Sequence, residues 1–438
     1  MVENVQKNYF EYAKELIKLA LPIIMGHIGF TFIMAGDVLV AGRYSTDVLA
    51  AVSISGSVTS LVYMFGLGLI ISVSPVLSNR LGAGKSAKKF FYPTLKIAII
   101  VSFITMLLTW ACIPLMENLG FEDKLLPYIR IYTFIFGFSA MGGYLYAALK
   151  EFLQAYEIVF FPNFIAIIGI FLNILLNVFL VFGCNLGISG LAIASVLVRS
   201  FMGLTLLIFC LKNFKLKNIK LPIKYLKVLV NVGIPISIAV TLEMLTFNSM
   251  AVIMGRVDGI YAAAQNILNV ITSTSFMIPL SISNAIAVKV GYANGARNLV
   301  NIKKYGISGV IISVGFMAVC GILFAVFPSF WAEIFTIDKD LINIIVPIMF
   351  IIGCFECFDG YQASMGGILK GLKRTQMVST ANLIGYICIG ITLGCIFAFK
   401  FKMNLYGFWL GIAISSVCVG FILTVELLRI YNVLKKEF

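Results

Sequence analysis

The sequence predicts an all-α integral membrane protein with about twelve transmembrane helices, in two six-helix bundles related by a pseudo-twofold axis along the membrane normal. The 438 residues are 61% hydrophobic and 12% charged, whereas soluble domains are roughly half apolar and about a quarter charged. Apolar runs long enough for a spanning helix, about 20 residues, recur along the whole chain. Motifs of the first half return in the second, which predicts a duplicated fold.

The apolar runs set the predicted spans, and short polar loops separate them. The spans are 16–42, 48–79, 91–116, 127–149, 159–183, 187–211, 228–255, 260–289, 305–331, 342–369, 377–399 and 405–432. Alternate loops carry bases such as Arg80 and Lys370, while the others carry acids such as Glu122 and Asp338. Because Lys and Arg are in excess in cytoplasmic loops, we expect both termini in the cytoplasm and a multi-pass protein of the cytoplasmic (inner) membrane.

Three pairs of short motifs recur at one offset of 213 residues. They are Leu21-Pro22-Ile23 with Ile234-Pro235-Ile236, Gly42-Arg43 with Gly255-Arg256, and Ala50-Ala51 with Ala263-Ala264. A basic, proline-containing stretch follows the first six spans. These observations predict an N-terminal six-helix lobe at 1–211, a basic cytoplasmic linker at 212–227 and a C-terminal six-helix lobe at 228–438.

Four acids fall well inside predicted spans. They are Asp37, Glu243, Glu356 and Asp359, and we expect no lysine or arginine at a comparable depth. A charge at mid-helix opposes insertion by roughly 2.5 to 3.5 kcal/mol, and intramembrane acids normally face a water-filled cavity and mark ion or substrate paths. Acids inside and bases outside therefore predict a cationic ligand.

The second lobe offers one candidate site. Glu243 lies about 18 Å from the outer end of its span and Asp359 about 16 Å from the inner end of its own, at about 1.5 Å per residue. The two carboxylates are thus at similar depth. Glu356 and Asp359 share a helix face at i, i+3, and their mutual repulsion would let one of them carry a proton. The structural alternative is a neutral carboxylic acid held by hydrogen bonds.

The first lobe offers another candidate site around Asp37. Asn173 and Asn177 share a face at i, i+4, and their carbonyl oxygens, with the hydroxyl of Ser195, could complete an oxygen shell of the kind that hard cations prefer. Amides also join membrane helices by hydrogen bonds, which is the structural alternative. Na⁺ could bind at Asp37, Asn173 and Asn177 or at Glu243 and Asp359, and a proton remains an alternative coupling ion.

No nucleotide motif, catalytic cluster or cofactor motif is visible, so the sequence predicts ion-gradient energy, no resident cofactor and no enzyme activity. The net charge of +14 comes from lysines in loops between spans, which argues against a nucleic-acid partner. The expected partners are small cationic substrates and the lipid bilayer, for a protein that acts as a monomer.

Several motifs resemble the multidrug and toxic compound extrusion (MATE) family over nearly the whole chain. They are Asp37-Val38-Leu39-Val40-Ala41-Gly42, Leu49-Ala50-Ala51-Val52-Ser53, Arg80-Leu81-Gly82-Ala83-Gly84, Leu172-Asn173-Ile174-Leu175-Leu176-Asn177, Gly190-Leu191-Ala192-Ile193-Ala194-Ser195 and Gly366-Gly367-Ile368-Leu369-Lys370-Gly371-Leu372-Lys373-Arg374-Thr375. The resemblance implies an outward antiporter of cationic, lipophilic and often aromatic compounds, driven by Na⁺ or protons.

The NorM-like branch of that family carries a glutamate and an aspartate that map onto Glu243 and Asp359. Some of its members have a tyrosine one turn before the aspartate, whereas this chain has Phe355, which offers no oxygen. The archaeal branch has an aspartate where this chain has Asn177. The alternative function is a lipid or polysaccharide-precursor flippase of the same wider superfamily, which should carry lysines or arginines in its cavity to bind anionic headgroups.

Overall fold

A computed structural model describes residues 8–118, 121–214 and 223–437. Residues 215–222 of the predicted linker lie outside the described residues. The described chain consists of helices and loops, and no strand occurs in these ranges. The all-α class expected from composition is therefore confirmed.

The helices are α1 (Tyr9–Tyr44), α2 (Thr46–Ile71), α3 (Val73–Gly82), a 3₁₀ turn (Ala87–Phe90), α4 (Phe91–Glu117), α5 (Leu126–Gly137), α6 (Ser139–Ala155), α7 (Phe160–Val178), a π turn (Phe179–Gly183), α8 (Ile188–Asn213), α9 (Ile223–Gly255), α10 (Gly259–Gly295), α11 (Leu299–Val326), α12 (Pro328–Glu333), α13 (Lys339–Gly371), α14 (Thr375–Asn382), a π stretch (Leu383–Ile391), α15 (Thr392–Cys395), a second π turn (Ile396–Lys400) and α16 (Asn404–Glu437).

Among the residues that the structure describes, eleven helical segments between Thr46 and Glu437 are long and apolar enough to cross a membrane. With α1, which has 36 residues, the described chain has the number of long helices that the apolar runs predicted. The predicted span 305–331 divides at a proline: α11 ends at Val326, and Pro328 opens the short helix α12. The residue before a proline is disfavoured in the α region, and Phe327 accordingly has φ −121° and ψ 48°.

The helices form two compact units. The N-unit comprises the described parts of 21–80 and 85–237, and the C-unit comprises the described parts of 1–20, 81–84 and 238–438. In the N-unit, α8 packs against α5, α6 and α7. In the C-unit, α13 packs against α10, α11 and α16. Each unit thus has one central helix that brings several neighbours to the same depth.

Burial in both units is typical of a protein surrounded by lipid. Large apolar side chains such as Phe171 and Phe421 are about 70% exposed, as expected for a surface solvated by acyl chains. The buried set, by contrast, contains carboxylates, amides and hydroxyls, among them Asp37, Asn173 and Glu356. Polar groups in hydrocarbon need partners inside the protein, so the interior of each unit is where the candidate sites assemble.

Candidate functional site

The first candidate site surrounds the carboxylate of Asp37 on α1, in the N-unit. Only 5% of Asp37 is exposed. Its Oδ1 accepts hydrogen bonds from Nδ2 of Asn173 at 3.0 Å and from Nδ2 of Asn177 at 2.7 Å. Its Oδ2 accepts one from Oγ of Ser195 at 2.8 Å. The structure therefore brings together all four residues singled out in the first lobe, from α1, α7 and α8.

The two asparagines reach one carboxylate because they lie one turn apart on α7. Asn177 Nδ2 also donates to Oδ1 of Asn173 at 3.2 Å, while Oδ1 of Asn177 has no hydrogen-bond partner among the described residues. Buried polar atoms usually have a partner, so this carbonyl oxygen is available to a ligand.

The residues around Asp37 suit two kinds of bound cation. Rotating the amides about χ2 would turn their Oδ1 atoms toward Asp37 and give the oxygen shell that a hard cation requires. A proton would need only the carboxylate. In residues 8–118, 121–214 and 223–437 there is no cluster of three His, Cys, Asp or Glu side chains suited to a metal ion. The oxygen atoms nearest to Asp37 that could join a cation shell are those of the two amides and the serine hydroxyl.

A buried arginine near Asp37 corrects one expectation from the sequence. The prediction that no lysine or arginine lies deep inside a span was wrong. Arg199 lies near the middle of the apolar segment Gly187–Asn213 and is only 6% exposed. Its Nη1 donates to Oγ of Ser139 at 3.2 Å. Its guanidinium carbon lies 5.2 Å from the ring centroid of Tyr63 and 4.8 Å from that of Phe136.

Close helix packing places Arg199 in this position. A Cβ on Gly142 of α6 would collide with the backbone of Arg199 and Ser200 on α8. A glycine is therefore required where the two helices touch. Arg199 also lies one turn from Ser195 on α8, and its charge interacts with the carboxylate of Asp37.

The second candidate site centres on Asp359 of α13, in the C-unit. Its Oδ1 accepts hydrogen bonds from Nε2 of Gln362 at 2.7 Å and from Oγ of Ser416 at 3.5 Å. Gln362 Nε2 also donates to the hydroxyl of Tyr386. The carboxylate of Asp359 interacts electrostatically with that of Glu243 on α9. The two acids that the sequence placed at similar depth thus act on each other in the folded unit.

Glu356, one turn before Asp359, is enclosed more tightly and is only 2% exposed. Oγ of Ser275 donates to its Oε1 at 3.4 Å, while within the described residues its Oε2 has no hydrogen-bond partner. Glu356 also interacts electrostatically with Asp359. The three acids of the second lobe therefore form one set of interacting charges.

Phe355 belongs to an apolar cluster rather than to the polar contacts of Asp359. Its ring centroid lies 6.1 Å from that of Trp409, and both side chains are part of one buried cluster in the C-unit. Trp409 in turn donates its Nε1–H to Oε1 of Gln265 at 2.9 Å. Phe355 thus contributes packing on α13 next to the acids.

Most of the chain matches a family of known proteins. The MatE family model matches residues 22–179 and 235–396. The two matched segments begin at Pro22 and Pro235, the prolines that the 213-residue offset pairs. The chain belongs to the MATE family.

Curated relatives support the NorM-like branch of the MATE family. The chain is 28% identical over 434 residues to "Probable multidrug resistance protein NorM" of Mesorhizobium japonicum, covering 94% of this chain and 93% of the relative. It is 26% identical to "Multidrug resistance protein NorM" of Aliivibrio fischeri, covering 95% of each. The protein is therefore a NorM-like member of a family of multidrug efflux transporters with many transmembrane helices.

Solved MATE structures share the fold. The crystal structure of the eukaryotic MATE transporter AtDTX14 superposes with a TM-score of 0.88 at 18% identity, covering 98% of this chain and 99% of that one. The crystal structure of the Vibrio cholerae MATE transporter VcmN in the bent form gives a TM-score of 0.88 at 18% identity, covering 97% of this chain and 99% of that one.

Three polar residues near Asp359 in this MATE chain were not predicted from the sequence: Gln362, Tyr386 and Ser416. Gln362 lies three residues after Asp359 on the same face of α13, so its spacing was a usable signal. Tyr386 and Ser416 carried none, because they come from the π stretch Leu383–Ile391 and from α16. π segments are frequent at functional sites, and Tyr386 is completely buried here.

Proposed function

We propose that this MATE protein is a secondary active antiporter that exports cationic, lipophilic or aromatic compounds in exchange for Na⁺ or H⁺. The single observation that carries the proposal is the Asp37 carboxylate, which is buried and accepts hydrogen bonds from α7 and α8. A buried charge in a membrane protein is costly and is usually functional. The similarity to proteins named for multidrug resistance supports the direction of transport.

Binding of a cation at Asp37 would change contacts among three helices. Na⁺ would neutralise the carboxylate and draw the Oδ1 atoms of Asn173 and Asn177 toward it, so that their Nδ2 donors leave. A proton would turn one carboxylate oxygen into a donor, and one of the present donors would then have to move. Either ion therefore exchanges the hydrogen bonds that join α1 to α7 and α8, which links ion occupancy to helix packing.

The acids of the C-unit suit the positive charge of the exported compound or a second coupling ion. Glu243 and Glu356 each interact with Asp359, and an ionised carboxylate in this set attracts a cation in a medium of low dielectric. The membrane potential supplies free energy for such an exchange, because one charge crossing 100 mV releases about 2.3 kcal/mol.

For placement in the cell, we propose the cytoplasmic (inner) membrane, with both termini in the cytoplasm. Alternate loops carry the bases, as in Arg80, Lys289 and Lys373, and such loops remain in the cytoplasm. We also propose that the transporter works as a monomer.

A flippase for lipid or polysaccharide precursors is a weaker proposal. It would need cationic side chains that are open to an anionic headgroup. Arg199 is enclosed by Tyr63, Phe136 and Ser139, and its charge interacts with Asp37. Arg199 thus already contacts groups of the N-unit and is not open to an anionic headgroup.

Efflux of ethidium from proteoliposomes, with imposed Na⁺ or pH gradients, tests the proposal. We expect wild-type efflux to follow one of the two gradients and Asp37→Asn to lose that dependence. Efflux that ignores Na⁺ but collapses with the pH gradient would assign Asp37 to proton carriage. Efflux by wild type that needs neither gradient, or Asp37→Asn efflux with unchanged ion dependence, would contradict the proposal.

A further inference from the structure

The interior of the N-unit contains a buried arginine that the proposed exchange does not use, Arg199. It lies in mid-span on α8, one turn from Ser195, whose hydroxyl donates to Asp37. A guanidinium keeps its charge under all conditions met by a protein. Its burial must therefore be balanced by groups around it.

We propose that Arg199 is the fixed counter-charge of Asp37, a positioning residue that competes with the coupling cation and so favours its release. This inference rests on the proposed function of Asp37. When the ion has left, the ionised carboxylate and the guanidinium balance each other inside the N-unit. When the ion binds, it must do so against the repulsion of a second positive charge.

Three observations support a held charge at this position. Ser139 accepts a hydrogen bond from Nη1 of Arg199 at 3.2 Å, and the rings of Tyr63 and Phe136 flank the guanidinium at 5.2 and 4.8 Å. Aromatic faces stabilise a desolvated cation. The side chain is thus oriented by groups on α2, α5 and α6, so that its charge stays at a constant place relative to α1.

The charge of Arg199 acts on Asp37 as well as on buried tyrosines of the N-unit. The charges of both residues act on the same buried phenol, Tyr132 of α5, which is 3% exposed. The two charges also act on each other. A buried pair of this kind costs more to break than to replace completely, because removing one partner leaves the other uncompensated.

This asymmetry gives a test that needs no ion. We expect Arg199→Gln to lower the thermal unfolding temperature in detergent, because Asp37 loses its counter-charge. We expect the double variant Asp37→Asn with Arg199→Gln to unfold at a higher temperature than Arg199→Gln alone. Additive effects in this double-mutant cycle would overturn the proposal, as would a double variant that folds no better than the single one.

The second test measures Na⁺-dependent ethidium efflux at fixed pH. We expect Arg199→Gln to lower the half-saturating Na⁺ concentration about 5-fold or more, the lower end of ordinary coupling between two sites. Arg199→Lys is the matched control, because it keeps a positive charge at this position, and its half-saturating concentration should stay near wild type. Equal shifts in both variants would reduce Arg199 to a packing residue.

The failure of this inference is distinguishable from failure of the proposed function. If Asp37→Asn keeps the ion dependence of wild type, the proposed function fails. If Asp37→Asn loses it and Arg199→Gln keeps the wild-type half-saturating concentration, only the role of Arg199 is overturned.

Discussion

Ser195 donates a hydrogen bond of 2.8 Å to the carboxylate of Asp37 across 158 residues of sequence. This bond joins α8 to α1, while Asn173 and Asn177 join α7 to the same carboxylate. Each of the three donors comes from a buried side chain. A change in the ionisation or ion binding of this one carboxylate therefore alters contacts among three helices of the N-unit.

Removal of this hydroxyl should weaken coupling without unfolding the protein. A hydrogen bond to a charged group contributes about 1.5 to 3 kcal/mol, so we expect Ser195→Ala to change the half-saturating coupling-ion concentration about 10-fold or more. Thr205→Ala on the same helix is the control, because its Oγ1 bonds only the carbonyl of Phe201 at 2.7 Å. Similar ion dependence of both variants in proteoliposome efflux would contradict the role of Ser195.

Neutralising the acids of the C-unit should abolish coupled export. We expect Glu243→Gln and Asp359→Asn each to lose gradient-driven ethidium efflux while remaining folded, because removing an intramembrane charge eases insertion. Glu426→Gln is the control, since Glu426 pairs with the exposed Arg429 at 3.0 Å. If either acid variant exports ethidium at the wild-type rate, measured at equal protein content, that residue has no role in the mechanism.

The hydroxyl of Tyr386 should matter for transport more than for folding. It accepts a hydrogen bond from Gln362, which also donates to Asp359. Removing a neutral hydrogen bond costs about 0.5 to 1.5 kcal/mol, so we expect Tyr386→Phe to slow coupled efflux about 2- to 10-fold. Tyr361→Phe is the matched control on α13, because its hydroxyl bonds Thr424 at 2.7 Å. If the control slows efflux equally, the hydrogen bonds that link Tyr386 through Gln362 to Asp359 have no special role.

The contact of α6 with α8 should tolerate no added methyl group. A Cβ on Gly142 would meet the backbone of Arg199 and Ser200, and such overpacking typically costs about 1 to 3 kcal/mol. We expect Gly142→Ala to lower the unfolding temperature in detergent. Gly56→Ala on α2 has no heavy atom within 4 Å of the added Cβ and should leave that temperature unchanged or raise it. An unaffected Gly142→Ala would mean that the helices are less tightly packed than the structure describes.

Local composition was enough to predict the long apolar segments and the approximate position of most of their ends. A run of about 20 apolar residues crosses a bilayer whatever its neighbours are, and the span predicted at 91–116 corresponds to α4, Phe91–Glu117. The acids stood out for the same reason, because a carboxylate inside such a run is costly in any fold. The pair Asn173 and Asn177 was recognisable from its helical spacing alone.

Arg199 shows where reasoning from apolar runs failed. One arginine barely changes the hydropathy of the segment Gly187–Asn213, so the run was noticed and its charge was not. Its surroundings could not have been predicted in any case, because Tyr63, Phe136 and Ser139 come from three other helices.

The sequence by itself determined that this chain forms apolar helices with acids at mid-span, since both properties depend on residues close together in the chain. Only the tertiary structure decided the other partners: Gln362 and Tyr386 near Asp359, and aromatic rings for Arg199. Partner choice depends on which helix faces meet and how closely, and that is set by packing between segments far apart in sequence, such as the contact at Gly142.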